Sequence, residues 1–241
     1  MGNKFIKLFP ILILIIVAAG AAFYIFKKNE AGKPVVSNYN SSTPDEIKAD
    51  KVLLNVPFTS QAPLGHWSDP RQEDGCEEAS LLMAWLWIKN QTLTPTQAEK
   101  AITDISDFEL QRYGNFHDFD AEDTAKLMTD YYHYDKHMVT INPTIEDIKN
   151  ALRNEKLVLV PANGQKLNNP HYTAPGPTTH MLVIKGFDDS KNQFITNDSG
   201  TKFGESYVYN YQTLYNAIVN YPTGDHESQA GRPKAMIAIQ K

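Results

Sequence analysis

The chain has 241 residues, a formal net charge of −5, and apolar and aromatic fractions of 41% and 11%, the composition of a globular body rather than a disordered one. The negative balance leaves no basic face, so no nucleic-acid partner is expected. One cysteine, Cys76, excludes an intramolecular disulfide and a Cys-rich zinc site; no metal and no cofactor is expected.

Residues 8–26 (LFPILILIIVAAGAAFYIF) carry no charge and are about the length that crosses a bilayer. Lys4 and Lys7 precede the run, and Lys27 and Lys28 follow it. Phe23, Tyr24 and Phe26 beside those lysines read as an interfacial anchor, so residues 1–28 are expected to form a membrane anchor. The small residues 18–22 leave a cleaved signal peptide open. Both readings deliver the remainder outside the cytoplasm, at the cell membrane or secreted. Residues 29–50, polar and rich in Gly, Pro, Ser and Asn, read as a flexible linker. Residues 51–241 remain, enough for one domain with a sizeable core.

Within that domain, residues 51–57 read as a strand ended by Pro57, and 58–75 as a long loop ordered by Gln61, His66 and Trp67. Gly75-Cys76 then opens a helix with Leu81, Leu82, Trp85 and Ile88 at the offsets of one buried face. Thr94-Pro95 caps a second helix to about Thr103; Asp120-Ala121-Glu122-Asp123 opens a third to about Tyr132, with its acids at the positive end of the dipole; and Pro143-Thr144-Ile145-Glu146 opens a fourth through Asn154. The pattern changes after that. Residues 157–161, 180–187, 193–198, 207–209 and 235–239 read as strands, the second and third as a hairpin, with a helix over 211–220. Helices first and strands later predict an α+β fold, an N-terminal helical layer packed on an antiparallel β-sheet.

A thiol in the first turn of a helix meets unpaired N–H groups and the positive end of the dipole, which favour thiolate. A lone buried cysteine also serves simply as a small hydrophobe. His180 opens a buried strand, and Asp198 ends the neighbouring one. If the two strands pair, both fall at one end of the sheet, where a carboxylate can orient an imidazole that takes a proton from the thiol. The plainer alternative is a strand-edge histidine beside an Asn-Asp-Ser-Gly turn. His133 and His137 read as a solvated helix end rather than a metal pair. Asp118, Asp120, Glu122 and Asp123 read as helix capping rather than a calcium loop. His171 and Tyr172 either line the cleft or pack beside it.

The blocks Val56-Pro57-Phe58, Gln61, Gly75-Cys76-Glu77-Glu78-Ala79-Ser80, Thr179-His180-Met181-Leu182-Val183-Ile184-Lys185-Gly186-Phe187-Asp188 and Asn197-Asp198-Ser199-Gly200 resemble cysteine peptidase family 39. More narrowly, they resemble stand-alone, membrane-anchored or secreted relatives of the bacteriocin leader peptidases. The resemblance implies a papain-like fold and a peptide or protein substrate. Cys76 would be the nucleophile, His180 the general base and acid, and Asp198 the orienter. It also implies a glutamine upstream that binds the oxyanion: Gln61, with 63–73 looping out, in preference to Gln72. Glu77-Glu78 depart from the Gly-Pro or Gly-Ala usual in leader peptidases, and two carboxylates there oppose thiolate unless they face solvent or cap the helix. The expected activity is a membrane-anchored, extracytoplasmic cysteine peptidase. The alternatives are a non-catalytic papain-like surface module, or a thiol amidase or acyl transferase acting on cell-wall peptides.

Overall fold

The computed structural model describes residues 48–241, so the expected anchor and nearly all of the linker lie outside the described residues. None of the described helices is long and apolar enough to cross a membrane. The strands are β1 (Lys51–Leu53), β2 (His137–Ile141), β3 (Leu157–Ala162), β4 (His180–Asp188), β5 (Gln193–Asn197), β6 (Tyr207–Asn210) and β7 (Ala235–Ile239). The α-helices are α1 (Pro70–Glu73), α2 (Cys76–Lys89), α3 (Pro95–Tyr113), α4 (Ala121–Tyr132), α5 (Ile145–Arg153), α6 (Gly164–Leu167) and α7 (Tyr211–Ala217).

One antiparallel sheet holds the strands in the order β2-β7-β3-β4-β5-β6. On one edge of β4, β3 pairs with residues 180–184 and β1 continues the ladder over 186–188. Successive side chains of a strand point to opposite faces, yet β3, β4 and β7 are buried at every position. Both faces are therefore covered. Leu81 and Met83 of α2, Ile102 and Ile105 of α3, and Leu127 of α4 share one core with Leu157, Leu159, Met181, Val183 and Ile237. On the other face, Ile148 and Leu152 of α5 and Leu214 and Ala217 of α7 pack on Val158, Val160, Leu182, Ile184 and Ala238.

The α+β expectation holds, with one correction: the helices form two layers, one on each face. Sequence order hid the second layer, because α5 lies just before the strands and α7 among them. Helix α2 is also buried on more than one face, from Cys76 through Ala84. Helix α3 continues past Thr103 to Tyr113, where Gly114 caps it in the left-handed conformation. Ser106 and Glu109, polar residues at core positions of α3, masked its apolar period. The expected strand over 51–57 shrinks to β1, and the 58–75 loop contains α1. The segment 131–137 begins as the solvated helix end expected, with His133 exposed, but does not stay one as far as His137. His133 caps α4 at φ 54°, while His137 opens β2 with Nε2 2.8 Å from Thr129 Oγ1.

Candidate functional site

Cys76 is the first residue of α2, fixed by its own N–H donating to Asp74 O (2.9 Å). The residue is 4% exposed. It nevertheless stands on the wall of a cleft of about 380 Å³, with Gln61, Trp67, Asp118, Tyr172 and His180 around it. The Met181 N–H donates to Sγ at 3.2 Å, tying β4 to the sulfur. Glu77 Oε2 lies 2.9 Å from Sγ; the thiol donates when that carboxyl is ionised, and the carboxyl donates when it is neutral. Burial, then the Glu77 charge, push the thiol well above its ordinary range.

His180 is the first residue of β4, and its Nε2 is 2.8 Å from Asp198 Oδ1. The antiparallel pairing of Val183 with Asn197 produces this meeting, since it sets the start of β4 beside the end of β5. Asp198 is fully buried, and its Oδ2 accepts from Tyr172 Oη (2.6 Å), Tyr209 Oη (2.5 Å) and Asn169 Nδ2 (3.1 Å). Burial works to raise its pKa, but the imidazole and the two phenols outweigh it and hold the carboxyl at about 2. The loop after Asp198 closes tightly: a Cβ on Gly204 would sit 1.8 Å from Asp198 O, so only glycine admits this approach. The structure thus places Cys76 and His180 on one cleft with Asp198 behind the imidazole. Among the described residues, no hydrogen bond joins Sγ to His180, whose remaining ring nitrogen is Nδ1.

Gln61 also reaches the cleft, whereas Gln72 is buried and does not line it. The Gln61 N–H donates to Ser199 O (2.9 Å), and its Nε2 donates to the carbonyls of Gln72 (3.0 Å) and Glu73 (2.6 Å) at the end of α1. Tyr172 lines the cleft, while His171 packs on Phe203 with ring centroids 4.8 Å apart.

Glu77 and Glu78 neither face solvent nor cap the helix, so neither condition under which they would spare the thiolate is met. Glu77 Oε1 accepts from the Phe119 N–H (3.1 Å) and Tyr221 Oη (2.6 Å). Glu78 accepts from Ser106 Oγ of α3 (2.6 Å). Burial raises Glu77 to about 8, helped by Asp118 and Glu78, and it raises Glu78 to about 7. Beyond them, His226 is held between carboxylates, Nδ1 3.0 Å from Asp118 Oδ2 and Nε2 3.8 Å from Asp74 Oδ1. Burial opposes its charge, but Asp118 and Asp74 raise its pKa. Asp118, expected in a capping run, is instead buried at φ 37°, and Asp120 alone is the N-cap. Sequence reasoning missed Tyr221, Tyr209, Asn169 and the Met181 N–H. A backbone donor leaves no sequence mark, and the other three lie far from the motif blocks.

The model of the Peptidase_C39 like family matches residues 53–223. A crystal structure described as that of a "putative C39-like peptidase from Bacillus anthracis" superposes with a TM-score of 0.51 at 16% identity, covering 80% of this chain and 99% of that one. At that identity the likeness establishes the fold alone. No curated protein matches the chain.

Proposed function

The chain belongs to the Peptidase_C39 like family, and we propose that it is a cysteine peptidase whose catalytic group is Cys76, His180 and Asp198. The observation that carries this reading is the Asp198-bound imidazole sharing one cleft with the chain's single cysteine. His180 takes the Cys76 proton on the nitrogen that Asp198 leaves free, and the thiolate attacks the carbonyl carbon of a peptide. The Gln61 amide, exchanging one of its two carbonyl partners, binds the oxyanion. The imidazolium then protonates the leaving amine. Finally, His180 activates a water that hydrolyses the thioester and frees the thiol. Asp198 holds the ring in its tautomer and balances the imidazolium charge.

The uncharged run 8–26 supports single-pass anchoring, with the domain outside the cytoplasm. One observation favours a second reading, a non-catalytic surface module: the sulfur contacts a carboxyl and makes no bond to His180. Incubating the full chain in detergent with a peptide library, beside Cys76→Ala, separates the two. Cleavage by the native chain alone is the expected result. Equal turnover by both, or none by either, ends the peptidase reading.

A further inference from the structure

Glu77 departs from the leader-peptidase pattern, and its two oxygens have unlike surroundings. Oε1 accepts two hydrogen bonds, from the Phe119 N–H and from Tyr221 Oη. Oε2 faces Cys76 Sγ. A neutral carboxyl has one carbonyl oxygen and one hydroxyl oxygen. The oxygen that already takes two donors is the better site for the carbonyl, which leaves the hydroxyl to Oε2, the oxygen facing the sulfur. Met181 N–H then supplies a second donor to the same atom.

We infer that Glu77 takes part in the proposed reaction as a neutral carboxyl, donating Oε2–H to the Cys76 thiolate as His180 removes the thiol proton, and that ionisation of Glu77 silences the nucleophile. This rests on Cys76 being the attacking group. The proton count is simple: one proton passes from Sγ to the imidazole, and the Glu77 proton stays on Oε2 as a hydrogen-bond donor. When Glu77 ionises, that donor becomes a negative charge 2.9 Å from the sulfur. Thiolate formation is then opposed instead of aided.

The groups facing Glu77 favour its neutral form at neutral pH. Its residue is 2% exposed. Burial acts first, then the charges of Asp118, in the loop before α4, and Glu78, on the same helix, placing Glu77 at about 8. The bonds to Cys76 and to Tyr221, in the segment after α7, pull the other way without prevailing. Glu109 of α3 stands behind Glu78, and His226 neutralises part of Asp118. His180 lies across the cleft, already paired with Asp198.

The test is the pH dependence of iodoacetamide alkylation of the full chain, read by mass, since Cys76 is the only thiol. An ordinary thiol alkylates faster as pH rises. Here the rate should fall about tenfold between pH 7 and pH 9, following the neutral fraction of a group titrating near 8. In Glu77→Gln, the amide keeps an acceptor for Tyr221 and cannot ionise, so the fall between pH 7 and pH 9 should vanish whatever the rate at pH 7. Tyr221→Phe removes a bond that favours the charged form and should move the fall to higher pH. It gives an independent reading should Glu77→Gln not fold. Identical profiles for the native chain and Glu77→Gln overturn the inference, as does a native rate that only rises, or a Tyr221→Phe limb that does not move. Native alkylation that falls as described, with no peptide cleaved by any form, would end the peptidase reading and Glu77's part in that reaction, leaving only the silencing of the thiol by Glu77 ionisation.

Discussion

Asp198 concentrates five donors on one carboxylate: an imidazole, two phenols, a side-chain amide and the Gly200 N–H, with none of its surface in water. Such a group stays ionised throughout the working range. Its folded pKa is depressed, so its stabilisation is complete above about pH 4 and disappears only as pH falls toward 2. The phenols fix Oδ2, which leaves Oδ1 for His180 and the Gly200 N–H. Asp198→Asn keeps the size but sets an amide against a ring that needs an acceptor. If the peptidase reading holds, kcat should drop on the order of 10³ to 10⁴-fold with little change in KM, measured by progress curves on a cleaved peptide. A drop of less than tenfold would remove Asp198 from the machinery. Cys76, His180 and Asp198 were legible as residues because each stands where an element begins or ends, and such ends position side chains in a cleft. The surroundings of Glu77 were not legible. Acidic residues in a first helical turn ordinarily read as dipole partners, and only Phe119 and Tyr221, folded over from distant segments, bury this one.

At the scale of elements, α2 is joined to α3 by buried acids as well as by apolar contacts. Glu78 bonds Ser106 and faces Glu109, whose own pKa burial and Glu78 drive well up. Acids with raised folded pKa values stabilise fully below their unfolded pKa and lose that stability as pH rises toward the folded value. For Glu78 the window runs from about 4.5 to about 7, and crossing it removes roughly 3 kcal/mol. The native chain should therefore melt lower at pH 8 than at pH 5, and Glu78→Gln should lack this part of the decline. By calorimetry the two chains should differ in that decline by on the order of 5–10 °C. Equal slopes would mean that Glu78 is ionised in the folded state. The same burial explains why α3 was underestimated: Ser106 and Glu109 occupy positions where the helical period calls for apolar side chains. Thr94-Pro95, Asp120 and Thr144 made the N-termini easy to place, because capping is local chemistry readable within four residues. Strand β2 escaped for the opposite reason. It is a half-exposed edge strand held by pairing with β7, a partner nearly a hundred positions away in sequence.

For the whole molecule, the sheet acts as a plate covered on both faces, and the cleft opens where β4 begins and β5 ends. The long buried runs of β3, β4 and β7 announced the sheet in the sequence. The second helical layer could be known only once alternate residues of those runs were seen to meet α5 and α7. A domain carried this way needs no disulfide, which suits a chain with one cysteine on either side of a membrane. The proposed anchor then determines what the cleft can reach. If residues 8–26 hold the chain at a membrane, substrates would be segments near the same surface. Expressed whole, the chain should sediment with membranes, resist alkaline carbonate extraction and show an intact N-terminal mass. A chain deleted for residues 1–28 should remain in the soluble fraction with its Cys76 alkylation profile unchanged. An N-terminus found between residues 18 and 23 would identify a cleaved leader instead, and the domain would then act free of the surface.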